Sequence, residues 1–70
     1  MHRFLTVSEK ADGNYSAYAL DFSGCIATGG TREETEQNMY EAIKLHVAGL
    51  LEDRQAIPES EAVSEYMVVA

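Results

Sequence analysis

Apolar and polar positions alternate along the first third of the chain and then change to a helical period. Arg3-Phe4-Leu5-Thr6-Val7-Ser8 is rich in β-branched and aromatic residues and predicts a strand. Arg3, Leu5 and Val7 share one face, and Phe4, Thr6 and Ser8 the other. Apolar side chains on both faces suit cover on both, one of them offered by another subunit. Ala11-Asp12-Gly13-Asn14 reads as a hairpin loop, because Gly13 and Asn14 tolerate positive φ. Tyr15–Leu20 is the returning strand, Asp21-Phe22-Ser23-Gly24 a bend, and Cys25–Thr28 a third, short strand.

Gly29-Gly30 frees the backbone, and Thr31 is a strong helix cap with Glu34 three residues on. This is a capping box: the Thr31 hydroxyl meets the Glu34 amide, and the Glu34 side chain returns to the cap amide. Glu33, Glu34 and Glu36 complement the positive end of the helix dipole. The helix should run from about Arg32 to about Asp53, roughly 33 Å long. Its apolar stripe is Thr35, Met39, Ala42, Ile43, His46, Val47 and Leu50, with Gln37, Glu41, Lys44, Ala48 and Glu52 opposite. Leu45 falls outside the stripe and is read as a contact for a second chain.

Pro58 cannot continue a helix and biases Ile57 to an extended shape. After the polar linker Glu59–Glu61, Ala62–Val69 predicts a last strand. An apolar strand of this kind is an edge liability unless paired, within the sheet or with another subunit. The expected architecture is α+β, ordered β-β-β-α-β, with an antiparallel sheet and one long helix on one face. Residues 1–70 form one domain.

Composition adds the need for a partner. A core this small supplies no more than about 3–5 kcal/mol of net stability, and such domains lean on disulfides, a metal or self-association. Cys25 is the single cysteine, so no intrachain disulfide forms, and no Cys/His spacing suggests zinc. Self-association, most simply as a dimer, is the expected support, with Tyr66, Met67, Val68, Val69 and Leu45 as the contact. A lone thiol fits a reducing cytoplasm. The N-terminus has no apolar signal segment, and no run approaches the roughly 20 apolar residues that span a bilayer. Net charge is −7, from 12 acids against 5 bases, which disfavours nucleic acid and favours a basic protein.

Candidate chemistry is sparse. A reactive Cys25 would need a base or helix N-terminus, and the local sequence supplies none, so it reads as a small buried hydrophobe. His46 has Ile43, Ala42, Gly49 and Leu50 at helical spacing, so it reads as a rim or core histidine making one hydrogen bond. Asp12, Asp21 and the helical glutamates could suggest metal-assisted nuclease chemistry. That needs carboxylates converging on ions about 4 Å apart, and these lie in a turn, a bend and a cap. Gly29-Gly30 lacks a downstream Lys-Ser/Thr and reads as a turn. Tyr15, Tyr18 and Tyr40 have no interleaved basic residues and read as core or interface aromatics. No catalytic, cofactor or metal residue is assigned.

Asp12-Gly13-Asn14-Tyr15, Asp21-Phe22-Ser23-Gly24-Cys25 and Gly29-Gly30-Thr31-Arg32-Glu33-Glu34, with Leu50-Leu51-Glu52-Asp53 and Ile57-Pro58-Glu59, resemble the HicB-like antitoxin family in order and spacing. That family typically shows Asp-Gly-Gly-Tyr, Asp-Leu-Pro-Gly-Cys and Gly-Asp-Thr-x-Glu-Glu-Ala. The resemblance covers about residues 3–59. Ser23 stands where Pro is usual, Gly30 where Asp is, and Thr35 where Ala is. The resemblance implies a truncated ribonuclease H-like unit that masks a small basic HicA-type ribonuclease toxin by occlusion, without catalysis. Many such antitoxins continue into a DNA-binding domain; this chain stops before one, so direct autorepression is not expected. A stand-alone homo-oligomeric module of the same fold and a degenerate nuclease are the alternatives.

Overall fold

Two turns with glycines in the left-handed region fold the first strands into a meander: Gly13 at φ 77° and Gly24 at φ 76°. The computed structural model describes residues 2–22 and 24–70; Met1 and Ser23, the latter inside the predicted Asp21–Gly24 bend, lie outside them. The elements are β1 (Thr6–Ala11), β2 (Asn14–Ala19), β3 (Ile26–Gly29) and α1 (Arg32–Glu52). The sheet is antiparallel, ordered β1-β2-β3. This is the expected α+β class.

β1 starts and ends three residues later than Arg3–Ser8. The turn is tight: Ala11 pairs with Asn14, leaving only Asp12 and Gly13 between strands, so the ladder runs on to Ala11. Asn14 therefore joins β2 and keeps a negative φ. At the other end, Leu20 N–H still donates to Leu5 C=O at 3.2 Å, and Leu5 N–H donates to Asp21 Oδ2 at 3.4 Å.

The helix-facing side of the sheet is built from small residues. Ala17 pairs with Ala27, and Ala17, Ala19, Cys25 and Ala27 are all buried with Phe22 and Met39. Short side chains let the helix come close, and Met39 fills the gap they leave. Phe4, Ala42, Ile43, Val47 and Leu50 pack around this cluster. The predicted helical stripe is the inward face, from buried Thr35 and Met39 to half-buried Leu50.

Thr31 caps the helix, its Oγ1 accepting from Glu34 N–H at 3.1 Å. The return arm differs from the expected box: Glu34 Oε1 accepts from Gly30 N–H at 3.3 Å, one residue before the cap. Thr35 is 0% exposed, and its hydroxyl donates to Thr31 C=O at 2.8 Å. Gly29 lies against this turn so closely that a Cβ there would sit 2.7 Å from Thr35 Oγ1.

The helix ends before Pro58 can act. Arg54 takes φ 57°, its N–H donates to Leu51 C=O at 3.1 Å, and Gln55 N–H donates to Leu50 C=O at 2.8 Å. This is the paired-bond stop usually made with glycine at the left-handed position.

Residues 55–70 form no strand, so the predicted element over Ala62–Val69 is not part of this sheet. The alternation is there, but a strand exists only through its neighbour's backbone, and among the described residues no ladder reaches this segment. Tyr66 and Val68 are each 99% exposed.

Candidate protein-binding surface

The structure separates the residues that could have made a catalytic group. Asp12 is exposed in the hairpin turn, Asp21 receives the Leu5 N–H, and Glu34 receives the Gly30 N–H. Among the described residues, no group of three or more His, Cys, Asp or Glu side chains could hold a metal ion. Cys25 is buried at the lip of β3, and burial pushes its thiol pKa up, away from the thiolate a nucleophile needs. It packs as the small hydrophobe read from the sequence. His46 packs against Phe22 with ring centroids 4.6 Å apart and the rings tilted by 51°, and Phe22 meets Phe4 at 4.6 Å. The half-buried imidazole thus extends an aromatic column inside the core, a rim histidine for which no hydrogen bond is seen among the described residues.

The two borders of the sheet differ. Ala19 N–H donates to Cys25 C=O at 3.2 Å, so by antiparallel alternation Ile26 and Thr28 point their backbone groups away from β2. Asn38 Nδ2 donates to the outward Thr28 C=O at 2.8 Å, closing that border from the helix. On β1, the Leu20–Leu5 bond fixes Leu5, Val7, Glu9 and Ala11 toward β2. The N–H and C=O groups of Thr6, Ser8 and Lys10 therefore point outward, and among the described residues no strand pairs with them.

The helix lies mainly over β3 and β2 and touches β1 least. Along its uncovered flank, Phe4, Thr6 and Ser8 face Tyr40, Ile43 and Val47 across a largely apolar groove of about 470 Å³. On the opposite sheet face, Val7, Tyr18 and Ile26 stand in one cross-strand row, Ile26 and Tyr18 exposed. The outer helix face carries the exposed Glu33, Glu41 and Glu52, whereas Glu36 lines the groove and pairs with Arg32 at 3.1 Å. Leu45 is 74% exposed on that helix, clear of the core as its place outside the stripe implied.

Sequence reasoning missed three of these features. Asn38 reads as an ordinary polar helix position, and its bond to Thr28 spans a packing angle no local pattern encodes. The Gly29–Thr35 approach spans only six residues and the glycine pair is its signal, but the pair by itself reads as a turn. Arg54 in the left-handed region had no signal at all, since glycine is the residue that announces it.

Fold and surface define a small α+β domain with one sheet border closed and the other open. Its sequence from residue 4 to 69 matches the model of the HicB-like antitoxins of bacterial toxin–antitoxin systems. The chain belongs to that family. It is also 36% identical over 59 residues to an uncharacterised 14.9 kDa protein from the rep–hol intergenic region of Haemophilus phage HP1 (strain HP1c1), covering 84% of this chain. The chain spans 44% of that relative's length. No solved structure matches. Among the described residues, no helix is long and apolar enough to cross a membrane.

Proposed function

We propose that this domain is an antitoxin module that binds and masks a small basic ribonuclease toxin of the HicA type. The family match over residues 4–69 carries the reading. Net charge of −7 supports it, because opposite charge speeds encounter with a basic protein and discourages RNA from competing. The exposed glutamates of the outer helix face are where such a partner would first feel the field. Occlusion of the toxin's RNA-binding surface needs no chemistry from the antitoxin, which fits dispersed carboxylates and a buried thiol.

The test is titration of the basic protein encoded beside this reading frame, followed by its RNA-cleavage assay. Complex formation with loss of cleavage is expected. No complex, with cleavage unchanged, would overturn the reading. A second reading, a homo-oligomeric module without a toxin, draws on the exposed apolar segment Val63–Val69. Absence of a neighbouring basic reading frame would favour it.

A further inference from the structure

The chain exposes more surface than its size explains. Its accessible area is 5818 Å², whereas a compact chain of this mass shows about 4,300 Å². The radius of gyration is 13.6 Å against about 11 Å for 70 compact residues. The difference, on the order of 1,500 Å² per chain, is what one partner buries in a large, stable dimer.

Residues 55–70 form no helix or strand and are mostly exposed, and the same molecule carries a place for them. Val63, Glu65, Met67 and Val69 alternate with Ala62, Ser64, Tyr66 and Val68, so a strand made from 62–69 is mostly apolar on both faces, with Glu65 and Ser64 interrupting them. The border of β1 offers the unpaired backbone groups of Thr6, Ser8 and Lys10, with the apolar groove beneath and the Val7–Tyr18–Ile26 row above. The chain's own segment runs near this border, Ala62 and Val63 lining one open pocket with Leu5, and Ser64–Tyr66 another with Thr6–Ser8. Among the described residues it makes no ladder there, and Val63, Tyr66, Met67, Val68 and Val69 stay exposed.

Charge selects the occupant. Four of the five basic residues border this edge or its groove: Arg3, Lys10, Arg32 and Lys44, with Arg32 already holding Glu36. Residues 55–70 carry Glu59, Glu61 and Glu65 and no basic residue. Against these stand Glu9 on β1 and Glu36 in the groove, which leaves a small positive excess in a chain of net charge −7, and the acidic, apolar segment of another copy complements it. We infer that residues 62–69 of a second copy add as a strand to the free edge of β1, and that the two copies do so reciprocally. Each chain then has its strand paired and its edge covered, which a two-fold arrangement satisfies at both ends. This holds whether or not a toxin binds.

The test is the mass of the full chain in solution by sedimentation or light scattering. Wild type is expected at twice the chain mass. Met67→Asp with Val69→Asp should raise the dimer dissociation constant roughly thirtyfold or more, since both side chains would be central to the contact. Neither is packed in the domain, so the fold should keep its circular dichroism. Ser8→Pro removes an outward N–H and should do the same. Mixing these two variants should restore a two-chain species, because one keeps its edge and the other its strand. A wild type of single-chain mass would overturn the inference, with the segment closed on its own edge. So would a two-chain mass that survives the Met67/Val69 change, or one lost only in Leu45→Asp. Failure of the mixture to recombine would also overturn it. None of these results bears on the toxin titration.

Discussion

The β3 and β1 borders of this sheet come from the same short meander, yet the helix treats them oppositely. β3 runs straight into α1 through Gly29 and Gly30, so the helix is tethered above it. There the first helical turn touches the strand, Asn38 takes the outward Thr28 carbonyl, and Cys25 and Ala27 are buried. β1 is linked along the chain to the helix only by way of β2 and β3, and the helix leaves a groove along it. One border is finished by contacts local in sequence, and the other requires a distant segment. Stability should therefore concentrate at β3, and recognition at β1.

The heaviest blow to the covered side should be Gly29→Ala. A methyl 2.7 Å from Thr35 Oγ1 and 2.8 Å from its backbone nitrogen forces the first turn away from the strand. Overpacking of this kind costs about 1–3 kcal/mol, read as a lower urea midpoint. Next comes Asn38→Ala, which strips the Thr28 carbonyl of its partner and should cost about 0.5–1.5 kcal/mol. Its counterpart on the open side, Ser8→Ala, should shift the monomer by no more than about 0.5 kcal/mol. Equal losses at the two positions would erase the asymmetry. Arg54→Gly should act in the opposite sense. It relieves about 1–2 kcal/mol of left-handed strain and forfeits about 0.5–1 kcal/mol of chain entropy. The net gain of about 0.5 kcal/mol should appear as a raised melting temperature.

The smallest effect is one of pH. Burial raises the Cys25 thiol pKa in the folded chain. An unfolded chain therefore releases that proton at lower pH than the folded one. The resulting stability is fully present below the ordinary thiol range and is lost as pH rises through the folded value. Urea midpoints of wild type and Cys25→Ala should keep a constant gap at neutral pH. The gap should close on the alkaline side as the wild type falls faster; a gap independent of pH would contradict the burial.

What could be read in the sequence was what is decided within a few residues. Gly13, Gly24 and Thr31 act on their immediate neighbours, and all three do as their chemistry dictates. The helical stripe was legible because an amphipathic period has only one face to bury. The family resemblance rested on the same local signals, and the match over residues 4–69 bears it out. Ala62–Val69 reads as a strand of this sheet yet forms none there, because alternation specifies an ability to pair and says nothing about with whom. The surface offered to a toxin stayed illegible for a related reason. Acidic residues are spread over the helix and loops, and complementarity belongs to two molecules rather than one.

Arg3 and Lys10 at β1, with Lys44 and the Glu36-paired Arg32 on the neighbouring helix, give a strongly anionic molecule a seam of reduced negative charge. Two such molecules meeting at random orientation push each other away. Only an approach that brings an acidic segment to the seam escapes that repulsion. The uneven roof over the sheet thus doubles as an orientation filter, rejecting misaligned encounters before any apolar side chain has touched another.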